Sequence, residues 1–247
     1  MKCVILCAGY AVRLYPLTRD KPKPLLPVGG RPLLERILDR ILPVPEIERI
    51  CIVSNHRFVP HFWHWLRDYQ AAQAPRAAID IFDDMTVSNE DRLGAIGDIQ
   101  FVIQHARIDD DLLVVAGDNL LMFDVGEFVA YGKQKGLAIA VKDVKSRELA
   151  KLYGVVTLDR DGQLRDFEEK PPAPASTLIS IGLYYFAREH VPLLKQYLDE
   201  GHNKDQPGNY IQWLHQQKPT YGFTIKGQWF DIGNIDSYNK ANEAFGE

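Results

Sequence analysis

Cysteine is scarce: three in 247 residues, an odd number and too few for the disulfide framework of a small secreted domain. Cys3, Cys7 and Cys51 all lie in apolar segments, so buried free thiols in a reducing cytoplasm are expected. Long apolar runs are missing too. The longest, Cys3 to Ala8 and Leu112 to Ala116, fall far short of the roughly 20 residues that cross a bilayer. Met1-Lys2 leads straight into a strand-like run, without the apolar region and small-residue cleavage site of a signal peptide. Nor is there a basic excess. The 29 Lys+Arg against 33 Asp+Glu give a net charge of -4, which removes the positive field that holds a protein on nucleic acid. Membrane and nucleic acid are therefore excluded as expected partners, and small ligands take their place.

What is present is an ordinary globular composition, 46% apolar and 25% charged, which argues against long disorder. KCVILCA is a strand-like run bounded by Gly9. A loop dense in proline and basic residues follows, and then PLLERILDRIL, whose Leu34, Ile37, Leu38, Ile41 and Leu42 recur at helical spacing. RICIVSN predicts a second strand, Pro60 to Ala72 a helix, AAIDIF a third strand, Ile96 to His105 a helix and LLVVA a fourth strand. Such alternation implies right-handed crossovers and a mostly parallel sheet covered on both faces. After about Leu137 strands dominate: LAIAVKDV, YGVVTLD and LRDFEEK around an Asp161-Gly162 hairpin, then ISIGLYYF. Helices at Arg188 to Glu200 and Asn209 to Gln217, the strand TYGFTIKG and a helix from Ile235 close the chain. One continuous domain over 1–247 is expected.

In an open parallel sheet, ligands bind at the carboxyl ends of strands. The loop from Gly9 to Pro27 begins there. Gly9 lets backbone N–H groups approach an anion, Arg13 and Lys23 add charge, and the prolines limit the loop's conformations. Neither the Walker pattern nor the dinucleotide fingerprint is present. On charge and glycine alone, the segment reads equally as a phosphate cradle or as a solvated basic loop.

As whole strings, LCAGYAVRLYPLT and PKPLLPV resemble the N-terminal signature of sugar-1-phosphate nucleotidyltransferases, L-A-A-G-x-G-T-R-L-x-P-L-T followed by P-K-x-L-L-P. The resemblance implies a Rossmann-like α/β nucleotidyltransferase fold, with a mixed, mostly parallel sheet flanked by helices. It implies that Ala8, Gly9, Tyr10, Ala11 and Val12 wrap the nucleotide phosphates, that Arg13 stabilises the leaving pyrophosphate and that Lys23 meets the α-phosphate. Two positions depart from the signature: Ala11 stands for Gly and Val12 for Thr. Ala narrows the backbone's freedom, and Val removes a hydroxyl.

Further along, Gly94-Ala95-Ile96-Gly97 resembles a segment beside the nucleotide base, with Asp98 where the family commonly has Ala. Asp118, directly after LLVVA, and Asp231 in WFDIG resemble the family's two Mg²⁺ ligands. Gly154, Glu169, Lys170 and Gly182 resemble its sugar-phosphate site. Taken singly, Gly94 is a helix-start turn, Asp118 a helix cap, Glu169 with Lys170 an exposed strand end, and Trp229 core packing. His61 and His64 are read as surface residues, and Asp109-Asp110-Asp111 as a polar turn.

The resemblance divides the chain into a nucleotide-binding part, 1–136, and a sugar-phosphate-binding part, 137–247. It implies transfer of a nucleoside monophosphate from an NTP to a sugar 1-phosphate, with Mg²⁺ as cofactor and dTTP or UTP with a hexose 1-phosphate as leading substrates. The length leaves no room for an appended acyltransferase domain, so a single activity is expected. Family members are often dimers or tetramers, which leaves a homo-oligomer open. The alternatives are a cytidylyltransferase acting on a non-sugar phosphate and a non-catalytic regulatory homologue.

Overall fold

The computed structural model describes residues 1–245. Strand and helix alternate through the first half: β1 (Lys2–Leu6), the two-residue β2 (Pro27–Val28) and β3 (Arg31–Pro32), α1 (Leu33–Ile41), β4 (Arg49–Ser54), α2 (Val59–Ala72), β5 (Ala78–Asp83), α3 (Ala95–His105) and β6 (Leu112–Ala116). Next come β7 (Asn119–Met122), α4 (Val125–Lys135), β8 (Leu137–Asp143), the single turn α5 (Arg147–Ala150), β9 (Gly154–Leu158), β10 (Leu164–Glu169) and β11 (Leu178–Phe186). α6 (Pro192–Asp199), α7 (Pro207–Gln217), β12 (Tyr221–Thr224), β13 (Gln228–Asp231) and α8 (Ile235–Phe245) complete the chain.

One sheet runs β10-β9-β11-β6-β1-β4-β5, with β8 also pairing β11 and β12 pairing β8. β6, β1, β4 and β5 are parallel, as their helical crossovers require, and β11 enters antiparallel against β6. The chain winds from β1 outward through β4 and β5, then crosses back to place β6 on the other side of β1. That reversal opens a crevice at the carboxyl ends of β1 and β6.

Alternating side chains assign the two faces. Cys3 and Ile5 of β1 point into the core shared with α1, α2 and α4, where Leu33, Leu34, Ile37, Leu38 and Ile41 are fully buried. Val4, Cys51 and Val53 point into the opposite core with α3, α6 and α7. All three cysteines are buried and free. Asp161-Gly162 does turn β9 into β10, with Gly162 at φ +80°. The acidic triplet anchors the back of the sheet: Asp111 accepts from the Tyr185 hydroxyl at 2.5 Å, and Asp109 pairs with Arg188 at 2.6 Å. His61 and His64 are exposed. Among the described residues, no helix is long and apolar enough to cross a membrane.

Candidate active site

The loop after β1 leaves the sheet between two neighbours that hold its base. The Cys7 N–H donates to Val53 O at 2.9 Å and the Gly117 N–H to Leu6 O at 3.0 Å. Asn55, itself buried, donates from Nδ2 to Ala8 O at 2.8 Å. Ala11 adopts the left-handed conformation, φ 49° and ψ 41°. Glycine takes this region freely, whereas an L-residue loses about 1 kcal/mol there. The Thr18 hydroxyl, donating to Ala11 O at 2.8 Å, holds the turn. The Val12 side chain points outward, 53% exposed.

A cavity of about 400 Å³ opens at this rim, lined by Ala8, Gly9, Tyr10, Ala11, Val12, Arg13, Lys23, Gly94 and Asp118 of the expected residues. Asp84 and Asp98 line it too. Lys23 is buried, and its Nζ donates to Asp118 Oδ2 at 2.8 Å. Gly94, at φ +79°, marks a close approach: a Cβ there would stand 2.6 Å from Lys204 O. The first N–H groups of α3, from Ala95 and Ile96, donate to Asp205 O at 3.3 Å and Lys204 O at 2.9 Å. That helix end therefore holds the 204–205 segment instead of facing the cavity with free donors.

Asp231 reaches Asp118 through a two-stranded ladder. β13 runs antiparallel to β7 with Asp231 opposite Asn119, and the Ile232 N–H donates to Asp118 O at 3.1 Å. Asn119 ties this ladder to the main sheet, donating to Ile181 O at 2.7 Å and accepting from Trp229 Nε1 at 3.0 Å. Gly182 sits under it at φ +74°, where a Cβ would stand 2.8 Å from Asn119 Nδ2. Trp229 is half-buried and packs edge-on against Tyr153, whose hydroxyl donates to Asp231 Oδ2 at 3.2 Å. Burial pushes the Asp231 carboxyl up, and the Asp118 charge adds to the push.

A family model described as "Nucleotidyl transferase" matches residues 2–247. The chain belongs to the nucleotidyl transferase family. It is 27% identical over 245 residues to the "Bifunctional protein GlmU" of Methanocaldococcus jannaschii, covering 98% of this chain and 54% of that protein. It is 28% identical over 252 residues to a UTP–glucose-1-phosphate uridylyltransferase of Synechocystis, covering 98% of this chain and 62% of the relative. The chain thus spans little more than half the length of these curated relatives. Its fold matches that of a putative glucose-1-phosphate thymidylyltransferase from Bacillus anthracis in complex with a sucrose, with a TM-score of 0.83 at 22% identity, covering 99% of this chain and 95% of that one. A UDP-glucose pyrophosphorylase from Acinetobacter baumanii gives 0.80 at 20% identity, covering 99% and 93%.

Within this member of the family, the four residues expected at the sugar phosphate lie outside the cavity's lining, towards the antiparallel half. Gly154 and Glu169 face each other in the β9–β10 pair. Glu169 is wedged beside Gly208 of α7, where a Cβ would meet Oε2 at 1.7 Å. Burial raises the Glu169 carboxyl, against the pull of Lys170, whose Nζ lies 3.5 Å from Oε1. Gly182 belongs with Asn119 and the acid ladder.

Among the described residues, no cluster of three or more acid, histidine or cysteine side chains forms a closed metal cage. Asp118 and Asp231 offer oxygen donors from two residues, with Lys23 on one of them. That set fits Mg²⁺, which is held by one or two carboxylates and completed by substrate phosphates and water. Three participants escaped the sequence reading: Asp84, Asn119 and Tyr153 as a hydroxyl donor. Asp84 had a signal, since it follows a parallel strand at its carboxyl end; the other two are visible only once β7 and β13 are paired.

Proposed function

We propose that this chain transfers a nucleoside monophosphate from an NTP to a sugar 1-phosphate, releasing pyrophosphate. The observation that carries the proposal is the cavity at the carboxyl rim, where a glycine-bearing loop, Arg13 and Lys23 meet Asp118, with Asp231 brought beside Asp118 from outside the lining by the β7–β13 ladder. Cations set beside paired carboxylates suit a polyphosphate that arrives with a divalent metal. The names of the relatives, a uridylyltransferase of glucose 1-phosphate among them, support the sugar phosphate as acceptor.

A phosphate monoester has a second pKa near 6, so a sugar 1-phosphate is largely a dianion at neutral pH. No general base is needed to ionise it. One of its oxygens forms the new bond to the α-phosphorus as the bond to the β-phosphate bridging oxygen breaks, and the electron pair leaves with pyrophosphate. Two anions must be brought together, and the chain's task is to place them and offset their repulsion. Lys23 exchanges Asp118 for the α-phosphate, Arg13 holds the leaving pyrophosphate, and Lys170 takes the acceptor's phosphate. Asp118 and Asp231 would hold Mg²⁺, which supplies charge neutralisation at the phosphate oxygens.

The test is pyrophosphate release over a grid of triphosphates and phosphorylated acceptors with Mg²⁺. Release is expected only when a sugar 1-phosphate is present. Release with phosphocholine and with no sugar phosphate would overturn the assignment.

A further inference from the structure

The end of the cavity away from Arg13 and Lys23 holds two acids that phosphate chemistry does not use. Asp84, just beyond β5, and Asp98, in the first turn of α3, are 4% and 6% exposed, and both line the cavity. Asp84 Oδ1 is fully engaged, accepting from the Thr86 backbone N–H at 2.7 Å and the Thr86 hydroxyl at 2.8 Å. Among the described residues, Asp84 Oδ2 and Asp98 Oδ1 are buried without hydrogen-bond partners. Two ionised carboxylates cannot lie together away from water, and a proton shared between them satisfies both oxygens at once. Burial and the Asp84 charge push Asp98 up to about 8, and burial pushes Asp84 up as well, so the pair keeps one shared proton at neutral pH. Asp205 adds negative charge at Asp98 and Lys204 offsets it. With Asp98 Oδ1 and Asp84 Oδ2 sharing that proton, Asp98 has Oδ2 left for the cavity. Toward a ligand the pair is an acceptor and carries net negative charge.

Arg13 and Lys23, where the proposed function seats the triphosphate, line the same cavity as Asp84 and Asp98. We propose that the Asp84–Asp98 pair reads the edge of the base and selects one bearing an exocyclic amino group over uracil or thymine; this rests on nucleotidyl transfer in this cavity. An amino N–H donates to Asp98 Oδ2. A ring carbonyl in the same place sets acceptor against acceptor and leaves both unpaired in a buried site, which is worth a factor of roughly 10 or more in affinity. The preference departs from the dTTP or UTP expected on overall resemblance, and its cause is a residue in which this chain differs from that pattern, Asp98.

Calorimetry on the full chain with Mg²⁺ tests it, using inorganic tripolyphosphate and three pairs of triphosphates that differ at the amino group, CTP with UTP, ATP with ITP and GTP with ITP. In at least one pair the amino member should bind 10-fold tighter or more. Asp98→Ala should erase that ratio and leave tripolyphosphate affinity within about twofold. Asp98→Asn should preserve it, because its amide N–H donates to Asp84 Oδ2 and its carbonyl keeps the acceptor in place. Equal or tighter binding of UTP and ITP in the wild-type chain overturns the proposal, and so does a ratio that survives Asp98→Ala. Tripolyphosphate that binds while no base is preferred sinks the acid-pair reading alone. Failure of tripolyphosphate to bind removes the transferase reading and this one together.

Discussion

Lys23 and Asp118 satisfy each other across 2.8 Å, so each has a partner to give up when a metal-bound triphosphate arrives. Arg13 is exposed on the cavity wall and, among the described residues, has no carboxylate paired with it to release. On the proposed mechanism, removing either cation takes away a contact that strengthens as charge develops on the phosphates. Lys23→Ala and Arg13→Ala should each lower kcat and kcat/KM by roughly 10² to 10³, measured as pyrophosphate release, with the fold retained by circular dichroism. Near-normal turnover would return the loop to a solvated surface. Asp98 supplies a stability test of the acid pair. Its carboxyl stays protonated in the folded protein up to about pH 8, whereas an unfolded chain ionises it near 4. The folded state therefore binds the extra proton across that window, and the pair's contribution to stability falls as pH rises from about 4 to about 8. Asp98→Asn removes this titration. Its melting temperature should gain on the wild-type chain between pH 5 and pH 8.5; a constant difference would contradict a shared proton.

At the scale of elements, the proposed metal site depends on the β7–β13 ladder. It is four residues long on each side, NLLM against QWFD, with neither clean alternation nor a turn signal to announce it. The sequence showed Asp118 after a strong strand and Asp231 after a weak one, and only the resemblance joined them. The antiparallel register supplies the physical reason: Asp231 opposite Asn119 puts the two carboxylates at one rim. α4 was equally unannounced, since Gly126 and Gly132 lower its helix propensity. Gly132 is there for packing, because a Cβ would stand 2.4 Å from the Tyr185 ring. Two acids serving one cation, as proposed for Asp118 and Asp231, would act as a unit. Asp118→Asn and Asp231→Asn should each abolish most activity, and the double variant should lose little more, read as a double-mutant cycle on kcat/KM. Fully additive losses would assign the acids separate roles.

Across the whole molecule, the parallel half carries the cavity and the antiparallel half carries Gly154, Glu169 and Lys170. If the two substrates divide along this line, Lys170→Ala should raise KM for the sugar phosphate more than KM for the triphosphate, and an equal rise would place Lys170 at the nucleotide. The architecture of the first half was legible because its strands are short apolar runs separated by a helix with an unambiguous stripe at Leu34, Ile37, Leu38 and Ile41. The strand order in the second half was not, because β8, β9 and β6 all meet β11, and no local pattern says which strands will pair. The phosphate loop was legible as a string, whereas the Asp84–Asp98 pair needed β5 and α3 brought side by side. Every role proposed for these residues turns on transfer at the α-phosphorus, which an NTP labelled there reports. With a sugar 1-phosphate and Mg²⁺, the label should appear in a nucleoside diphosphate sugar while pyrophosphate is released unlabelled, and excess EDTA should stop the reaction. Label that never reaches the sugar product, or transfer that proceeds undiminished in EDTA, would contradict the account.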